Sequence, residues 1–149
     1  MRRIFAPLIL AATALVPSQH ATAASPVLLT IDVTGAHSDT GLVGCALFNR
    51  EDGFPFDDHH AFRLLEMPIS GGHATCIFGD IPPGDYAVAV MHDENGNALL
   101  DKSFLGIPQE GFGFSNNAPA HTFSPASFDE AHFTYGGGPL TLPVTIVYR

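Results

Sequence analysis

The stretch VLLTIDVTG, residues 27 to 35, decides the fold class of this chain. Its apolar residues recur at every second position until the run ends at Gly35: Val27, Leu29, Ile31 and Val33. This alternation is typical of a β-strand with one buried face, because successive side chains of a strand point to opposite sides. We therefore predict a strand here.

Runs of the same kind recur along the chain, separated by turns that are rich in glycine and proline. They predict strands at 41–48, 73–78, 85–91, 128–135 and 140–148, and a weaker strand or short helix at 61–67. About seven short strands without a long amphipathic helix predict an all-β fold, a single antiparallel β-sandwich with Greek-key character. Proline cannot donate to a ladder, so Pro143 indicates that the last strand lies at a sheet edge or contains a bulge.

One long span breaks this series of strands and turns, because the pattern of residues 92–127 predicts no clear strand. A loop of this length in a small domain is usually functional or partly disordered. We therefore expect one long loop and place the interaction surface of the domain there.

The N-terminus has the pattern of an export signal. Arg2 and Arg3 precede an apolar run, and Ala21-Thr22-Ala23 follows as a small-residue cleavage signature. The apolar run is about 13 residues long, short of the roughly 20 that a membrane-spanning helix needs. We predict a signal peptide over residues 1–23, cleaved after Ala23, and a mature domain over residues 24–149. The mature form would have no membrane span and be periplasmic or secreted.

The predicted mature chain is strongly acidic. It keeps all 15 acidic residues but only four cations, Arg50, Arg63, Lys102 and Arg149, which gives a formal charge of −11. A negative charge of this size repels phosphate groups, which argues against nucleic acid and anionic lipid as partners. It is compatible with cationic partners or divalent metals, or it serves solubility alone.

Two cysteines lie inside short apolar runs, Cys45 in LVGCALF and Cys76 in HATCIF. In an oxidising compartment, two cysteines on core strands are readily interpreted as one disulfide. Closing a loop of about 30 residues would stabilise the fold by roughly 3 kcal/mol in the chain-entropy account. The alternative is a pair of buried free thiols; no electropositive surroundings mark either cysteine as catalytic.

Several blocks go beyond the strand pattern: ALFN with GFP at 46–55, PPGDY at 82–86, HDENGN at 92–97, and FLGIP through FSNN at 104–117. Together they resemble the DUF2141 family of exported bacterial proteins over nearly the whole mature chain. The resemblance implies a transthyretin-like (prealbumin-like) or carboxypeptidase-regulatory-like sandwich outside the cytoplasm, without an assigned activity. Family members typically have NGNGKLD where this chain has NGNALLD at 95–101, so that Ala98 stands in a glycine place.

The start of the long loop matches positions 1, 3, 5, 7 and 9 of a calcium loop: Asp93, Asn95, Asn97, Leu99 and Asp101. Position 6 is Ala98 rather than glycine, and position 12 is Phe104 rather than a bidentate glutamate. Any calcium site would thus be weak, in the ~10⁻⁴–10⁻³ M range. The other interpretation, which we favour, is a hydrogen-bonded turn in which Asp and Asn side chains bind their own backbone. No cofactor would then be required.

The loop continues into GFGFSNN, where aromatic and amide side chains alternate with small residues. We consider a surface that binds a protein or glycan partner in the cell envelope, built from His92, Phe112, Phe114, Ser115, Asn116 and Asn117. In the alternative, which we favour, the aromatic residues fold back and plug the open end of the sandwich.

The histidines give a weaker metal signal. His59 and His60, beside Asp57 and Asp58, could bind zinc or copper if another histidine completed the site: His37, His73, His92, His121 or His132. Adjacent histidines on an extended segment point apart, so this pair is more readily explained as solvated loop residues.

Signals for catalysis are thin. The chain has no G-x-S-x-G elbow, no H-E-x-x-H motif and no phosphate-binding glycine loop. It ends in Tyr148-Arg149, without the Gly-Ser that closes the transthyretin-fold hydroxyisourate hydrolases. We expect an exported, non-catalytic module with a binding or structural role through residues 92–127. A calcium-binding module and an enzyme of transthyretin-like fold are the alternatives.

Overall fold

The computed structural model describes residues 27–149, so the predicted signal peptide lies outside the described residues. Within this range the chain forms eight strands and one short α-helix: β1 (Leu28–Thr34), β2 (Leu42–Phe48), β3 (Arg63–Pro68), β4 (Ala74–Gly79), β5 (Gly84–Asp93), β6 (Gly111–Phe114), α1 (Phe128–Ala131), β7 (Phe133–Tyr135) and β8 (Leu140–Thr145). The predicted all-β fold is confirmed. No helix in the described range is long and apolar enough to cross a membrane.

The strands form two sheets. The smaller has the order β4-β1-β8, and the larger has the order β3-β2-β5-β6, with β7 pairing to the first residues of β5. The prediction of a purely antiparallel fold is wrong at one pair, since β1 and β8 run parallel. A parallel pair needs a long crossover, and nearly the whole domain lies between these two strands in the chain. Greek-key and transthyretin-like connectivity stay predictions.

The main core contains apolar side chains of both sheets. In β1 the predicted alternation is observed, because Leu29, Ile31 and Val33 have no exposed surface. The predicted disulfide is also present: Cys45 of β2 and Cys76 of β4 join the two sheets, with 6.5 Å between their Cα atoms. Strand β8 lies at the edge of its sheet, as Pro143 predicted.

A second apolar cluster lies on the opposite face of the larger sheet. It contains small and aromatic side chains of β2, β5 and β6 together with residues of the loops that cover them: Ala46, Phe48, Ala87, Ala89, Phe112, Phe114, Ala118, Ala126 and Ala131. Strand β5 is thus buried on both faces, which explains why its residues 86–90 are all apolar and buried. Residues 115–131 help to cover this face of the sheet.

Two predicted segments differ in the structure, and the open alternative at 61–67 is decided. Residues 92–127 contain strand structure after all, because β5 extends to Asp93 and β6 follows at Gly111–Phe114. Of the two alternatives for 61–67, the strand is observed, as β3 at Arg63–Pro68. The segment 128–135, predicted as a strand, divides into α1 and β7. The start of α1 carries a capping box of Ser127 and Glu130, a sequence signal for a helix that the strand prediction overlooked.

The glycines of β6 explain why that strand lacks an ordinary strand pattern. A Cβ atom on Gly111 would lie 2.5 Å from the Ile146 and Tyr148 side chains, and one on Gly113 would lie 2.6 Å from the Thr145 carbonyl oxygen. The C-terminal segment crosses β6 at this point, and Phe112 and Val147 exchange backbone hydrogen bonds of 3.0 and 2.8 Å. Glycine is needed because the two backbones approach closely.

Candidate functional site

The turn that follows β5 is organised by Asp93, which is only 3% exposed. Its Oδ1 accepts hydrogen bonds from the backbone N–H of Gly96 at 2.7 Å and Asn97 at 3.2 Å, and its Oδ2 accepts one from Ala98 at 2.7 Å. Both carboxylate oxygens of Asp93 are therefore directed at the backbone of the turn.

The far side of the turn is held by two further carboxylates. Asp101 accepts from the side-chain amides of Asn95 at 2.5 Å and Asn97 at 3.0 Å. Glu110, which sequence reasoning missed, is buried and accepts from the backbone N–H of Glu94 at 3.1 Å and Asp101 at 3.0 Å. These contacts are those of a hydrogen-bonded turn. Calcium binding by Asp93, Asn95, Asn97, Leu99 and Asp101 stays a prediction.

The residues considered for a binding surface divide into buried and exposed groups. His92, Phe112, Phe114 and Ser115 are buried, so an exposed aromatic rim is not what the structure shows at these positions. The phenylalanines pack in the second apolar cluster, because β6 pairs with β5 and turns them to that face. The exposed Asn116 donates to the His132 carbonyl at 2.7 Å, and Asn117 accepts from the Thr145 N–H at 2.9 Å.

Ser115 anchors the covering segment to the sheet. Its hydroxyl oxygen accepts from the Val88 N–H at 2.9 Å and donates to the Ala131 carbonyl at 2.5 Å. Since Ser115 has no exposed surface, these bonds satisfy a hydroxyl that would otherwise be costly to bury.

A cleft of about 240 Å³ lies between the segments 102–108 and 120–125. Leu105, Ile107 and Phe123 line it and are exposed, Phe123 almost completely at 99%. Phe104, 96% exposed, is the neighbour of Leu105 in the chain. Single exposed apolar residues are common, but several gathered at one concave site indicate a binding surface.

Two cations flank these apolar side chains. The Lys102 ammonium lies 4.5 Å from the centre of the Phe56 ring, and the Arg149 guanidinium donates to the carbonyl oxygens of His121, at 2.8 Å, and Ala120. Both line the cleft, and among residues 27–149 no acidic residue lines it. In a chain with a net charge of −9, the cleft is therefore a local region of opposite sign.

A polar cluster lies at the end of β5, where the β1–β2 loop and the C-terminal segment meet it. His92 is fully buried; its Nε2 lies 2.7 Å from the Thr40 carbonyl oxygen, and its Nδ1 lies 2.6 Å from the Tyr148 hydroxyl. His37 contacts the Glu94 carboxylate through Nε2 and stacks on Tyr148, with 4.1 Å between ring centres. Burial raises the pKa of Tyr148, which keeps its hydroxyl protonated.

The other histidines of the described residues lie elsewhere. His60 pairs with Asp57 at 3.0 Å on an exposed 3-10 turn, and the Glu130 carboxylate accepts from His121 at 2.9 Å. Within residues 27–149, three imidazole and carboxylate groups converge at His37, His92 and Glu94 rather than around the His59–His60 pair.

The protein is thus an all-β domain of two disulfide-linked sheets. Its loops form an apolar cleft flanked by two cations and a histidine cluster of His37, His92 and Glu94. The chain belongs to the family described as "Uncharacterized protein conserved in bacteria (DUF2141)", whose family model matches residues 31–142. No curated protein and no solved structure matches the chain.

Proposed function

We propose that this protein is an exported binding module of the cell envelope whose cleft takes a ligand with an apolar body and an anionic end. The observation that carries the proposal is the cleft itself, where exposed Leu105, Ile107 and Phe123 lie beside Lys102 and Arg149. Apolar pockets with a few placed polar groups are the usual form of small-molecule sites. The apolar walls would contact the body of the ligand and the cations its charged end.

Export is supported by two features. The first residues have the pattern of a signal peptide cleaved after Ala23, and Cys45 and Cys76 form a disulfide that suits an oxidising compartment. We therefore place the binding function in the periplasm or outside the cell.

We propose binding without catalysis. The cleft does contain a histidine and hydroxyl residues, His121, Thr122 and Ser124. In the described residues, however, the His121 ring is hydrogen-bonded to Glu130, and no hydroxyl group is hydrogen-bonded to it. A nucleophile activated by a general base would need that second contact, which makes simple binding the better account of this geometry.

The experiment uses decanoate as the probe and measures its binding by isothermal titration calorimetry. Decanol and decyltrimethylammonium have a chain of the same length with a neutral or cationic end. We expect decanoate to bind more tightly than either, because only decanoate meets Lys102 and Arg149 with the opposite charge.

Matched variants locate the site. We expect Phe123→Ala and Lys102→Gln to weaken decanoate binding several-fold, since truncating an anchor or removing an ion partner typically costs about 1 kcal/mol or more. Arg63→Gln removes the same charge outside the cleft and should leave binding unchanged. Equal binding of all three ligands, or equal loss in the Arg63 variant, would exclude the cleft as the anion site.

A further inference from the structure

We propose that His37, His92 and Glu94 form a binding site for a divalent transition-metal ion, zinc or copper. Two imidazole nitrogens and one carboxylate oxygen are donors that suit these ions better than calcium or magnesium, which prefer sites made of oxygens alone. The site shares no residue with the cleft between the segments 102–108 and 120–125 or with the predicted calcium ligands, so it does not depend on the proposed function.

The three ligand atoms already lie close together, all within 4.8 Å of one another. The His92 Nδ1 atom is 3.7 Å from the Glu94 Oε1 atom. Two ligands of one zinc ion, each about 2.0–2.2 Å from it, lie within about 4 Å of each other. Small rotations of the His37 and Glu94 side chains would therefore bring all three atoms into ligand range.

Buried His92 is oriented as a metal ligand would be. Its Nε2 must carry the proton, because its partner at 2.7 Å, the Thr40 carbonyl oxygen, can only accept a hydrogen bond. The lone pair of the ring is then on Nδ1, the atom that faces Glu94 and Tyr148. Metal-binding histidines usually donate their other N–H to a carbonyl or carboxylate in this way, which fixes the tautomer and the ring direction.

The surrounding backbone holds this arrangement in place. A Cβ atom on Gly41 would lie 2.0 Å from the Asp93 carbonyl oxygen, so only glycine lets the β1–β2 loop approach the end of β5 so closely. That approach brings both the Thr40 carbonyl and His37 to His92. A further oxygen atom that could bind the ion, the Tyr148 hydroxyl, lies 2.6 Å from His92 Nδ1.

The cluster is also open to an incoming ion. The His37 and Glu94 side chains are 54% and 34% exposed, whereas the His92 side chain has no exposed surface. An ion would therefore enter from the His37 side. It would displace the contact between His37 and Glu94 and the hydrogen bond between the Tyr148 hydroxyl and His92 Nδ1.

The test uses the mature protein after removal of metal by a chelator. Zinc and copper(II), with calcium and magnesium for comparison, are titrated by calorimetry, and the melting temperature is followed in parallel. We expect one zinc or copper ion per chain and a higher melting temperature, because an ion that binds only the native state stabilises it. Calcium and magnesium should not compete for this site.

Variants separate the site from surface binding. We expect His37→Ala and Glu94→Gln to weaken zinc binding tenfold or more while the metal-free protein melts near the wild-type temperature, since both side chains are partly exposed. His59→Ala removes an exposed imidazole outside the cluster and should leave the affinity unchanged. The proposal is overturned if neither ion binds, or if zinc binding survives in both His37→Ala and Glu94→Gln, whatever the His59 variant does.

Discussion

Single residues decide where two strands of this protein can approach each other. Gly113 faces the backbone of the C-terminal segment, while its neighbours Phe112 and Phe114 fill the second apolar cluster. The alternation of glycine and phenylalanine therefore reflects two surroundings, a crossing backbone on one face and a covering layer on the other. Gly41 has the same role at the end of β5, where it brings the β1–β2 loop to His92.

Gly113 leaves little room for a side chain. A Gly113→Ala change should destabilise the protein by about 1–3 kcal/mol, because the added methyl must push the Thr145 carbonyl away. Urea unfolding measures the loss. Gly138→Ala is the matched control, since a Cβ atom there has nothing within 4 Å. Equal stability of the two variants would contradict the close approach.

At the scale of elements, the turn from Asp93 to Asp101 and the start of α1 are both organised by carboxylates that accept backbone hydrogen bonds. Asp93 satisfies three N–H groups of its turn, and Glu130 completes the capping box with Ser127. The turn could be predicted from its Asp and Asn residues, whereas α1 was missed, because its signal is a capping box and not apolar periodicity.

The turn interpretation makes a prediction about Asp93. Asp93→Asn should lower the free energy of unfolding by about 1–3 kcal/mol, because Asp93 is buried and an amide cannot accept bonds from three backbone N–H groups as a carboxylate does. Asp101→Asn should cost less, since Asp101 is more exposed. Chemical unfolding in the presence of a chelator measures both. If millimolar calcium raises the melting temperature and both variants abolish the rise, the calcium interpretation replaces the turn.

The capping box predicts a dependence on pH. Hydrogen bonds from the Ser127 backbone, and then from the His121 and Ser127 side chains, lower the pKa of Glu130 from 4.5 to about 2. A carboxyl whose pKa is lower in the folded state stabilises the fold above its unfolded pKa, and this contribution is lost as the pH falls from 4.5 toward 2. Glu130→Gln should reduce the pH dependence of stability in this window, as measured by unfolding at several pH values. Asp129→Asn, which leaves both residues of the capping box in place, is the matched control.

At the scale of the whole molecule, two further connections join the sheets in addition to the loops that run between them. The disulfide links β2 to β4, and the C-terminal segment continues from β8 of the smaller sheet to hydrogen-bond Phe112 in the larger one. Both sites considered for function depend on this second connection, because Tyr148 belongs to the histidine cluster and Arg149 to the cleft.

Loss of the disulfide should weaken the entire domain. We expect the Cys45→Ala/Cys76→Ala variant to lose about 2–5 kcal/mol of stability, because the cross-link restricts the unfolded chain over a separation of 31 residues. Urea unfolding with and without reductant measures this. The reductant should destabilise the wild type and leave the double variant unchanged; a double variant as stable as the oxidised wild type would contradict the expectation.

The all-β class, most of the strands, the disulfide and the edge position of β8 could be predicted from the sequence alone. These features follow from local rules. Alternation shows which face of a strand is buried, proline cannot donate to a sheet ladder, and two core cysteines in an oxidising compartment form a disulfide. Strand β6 was not predicted, because its glycines are required by the close approach of the C-terminal segment, which is distant in sequence. Only the tertiary structure brought His37 to Glu94, which is 57 residues away, and placed Lys102 and Arg149 in one cleft. Such contacts depend on how the sheets and the crossing C-terminal segment pack, and no local period in the chain encodes that packing.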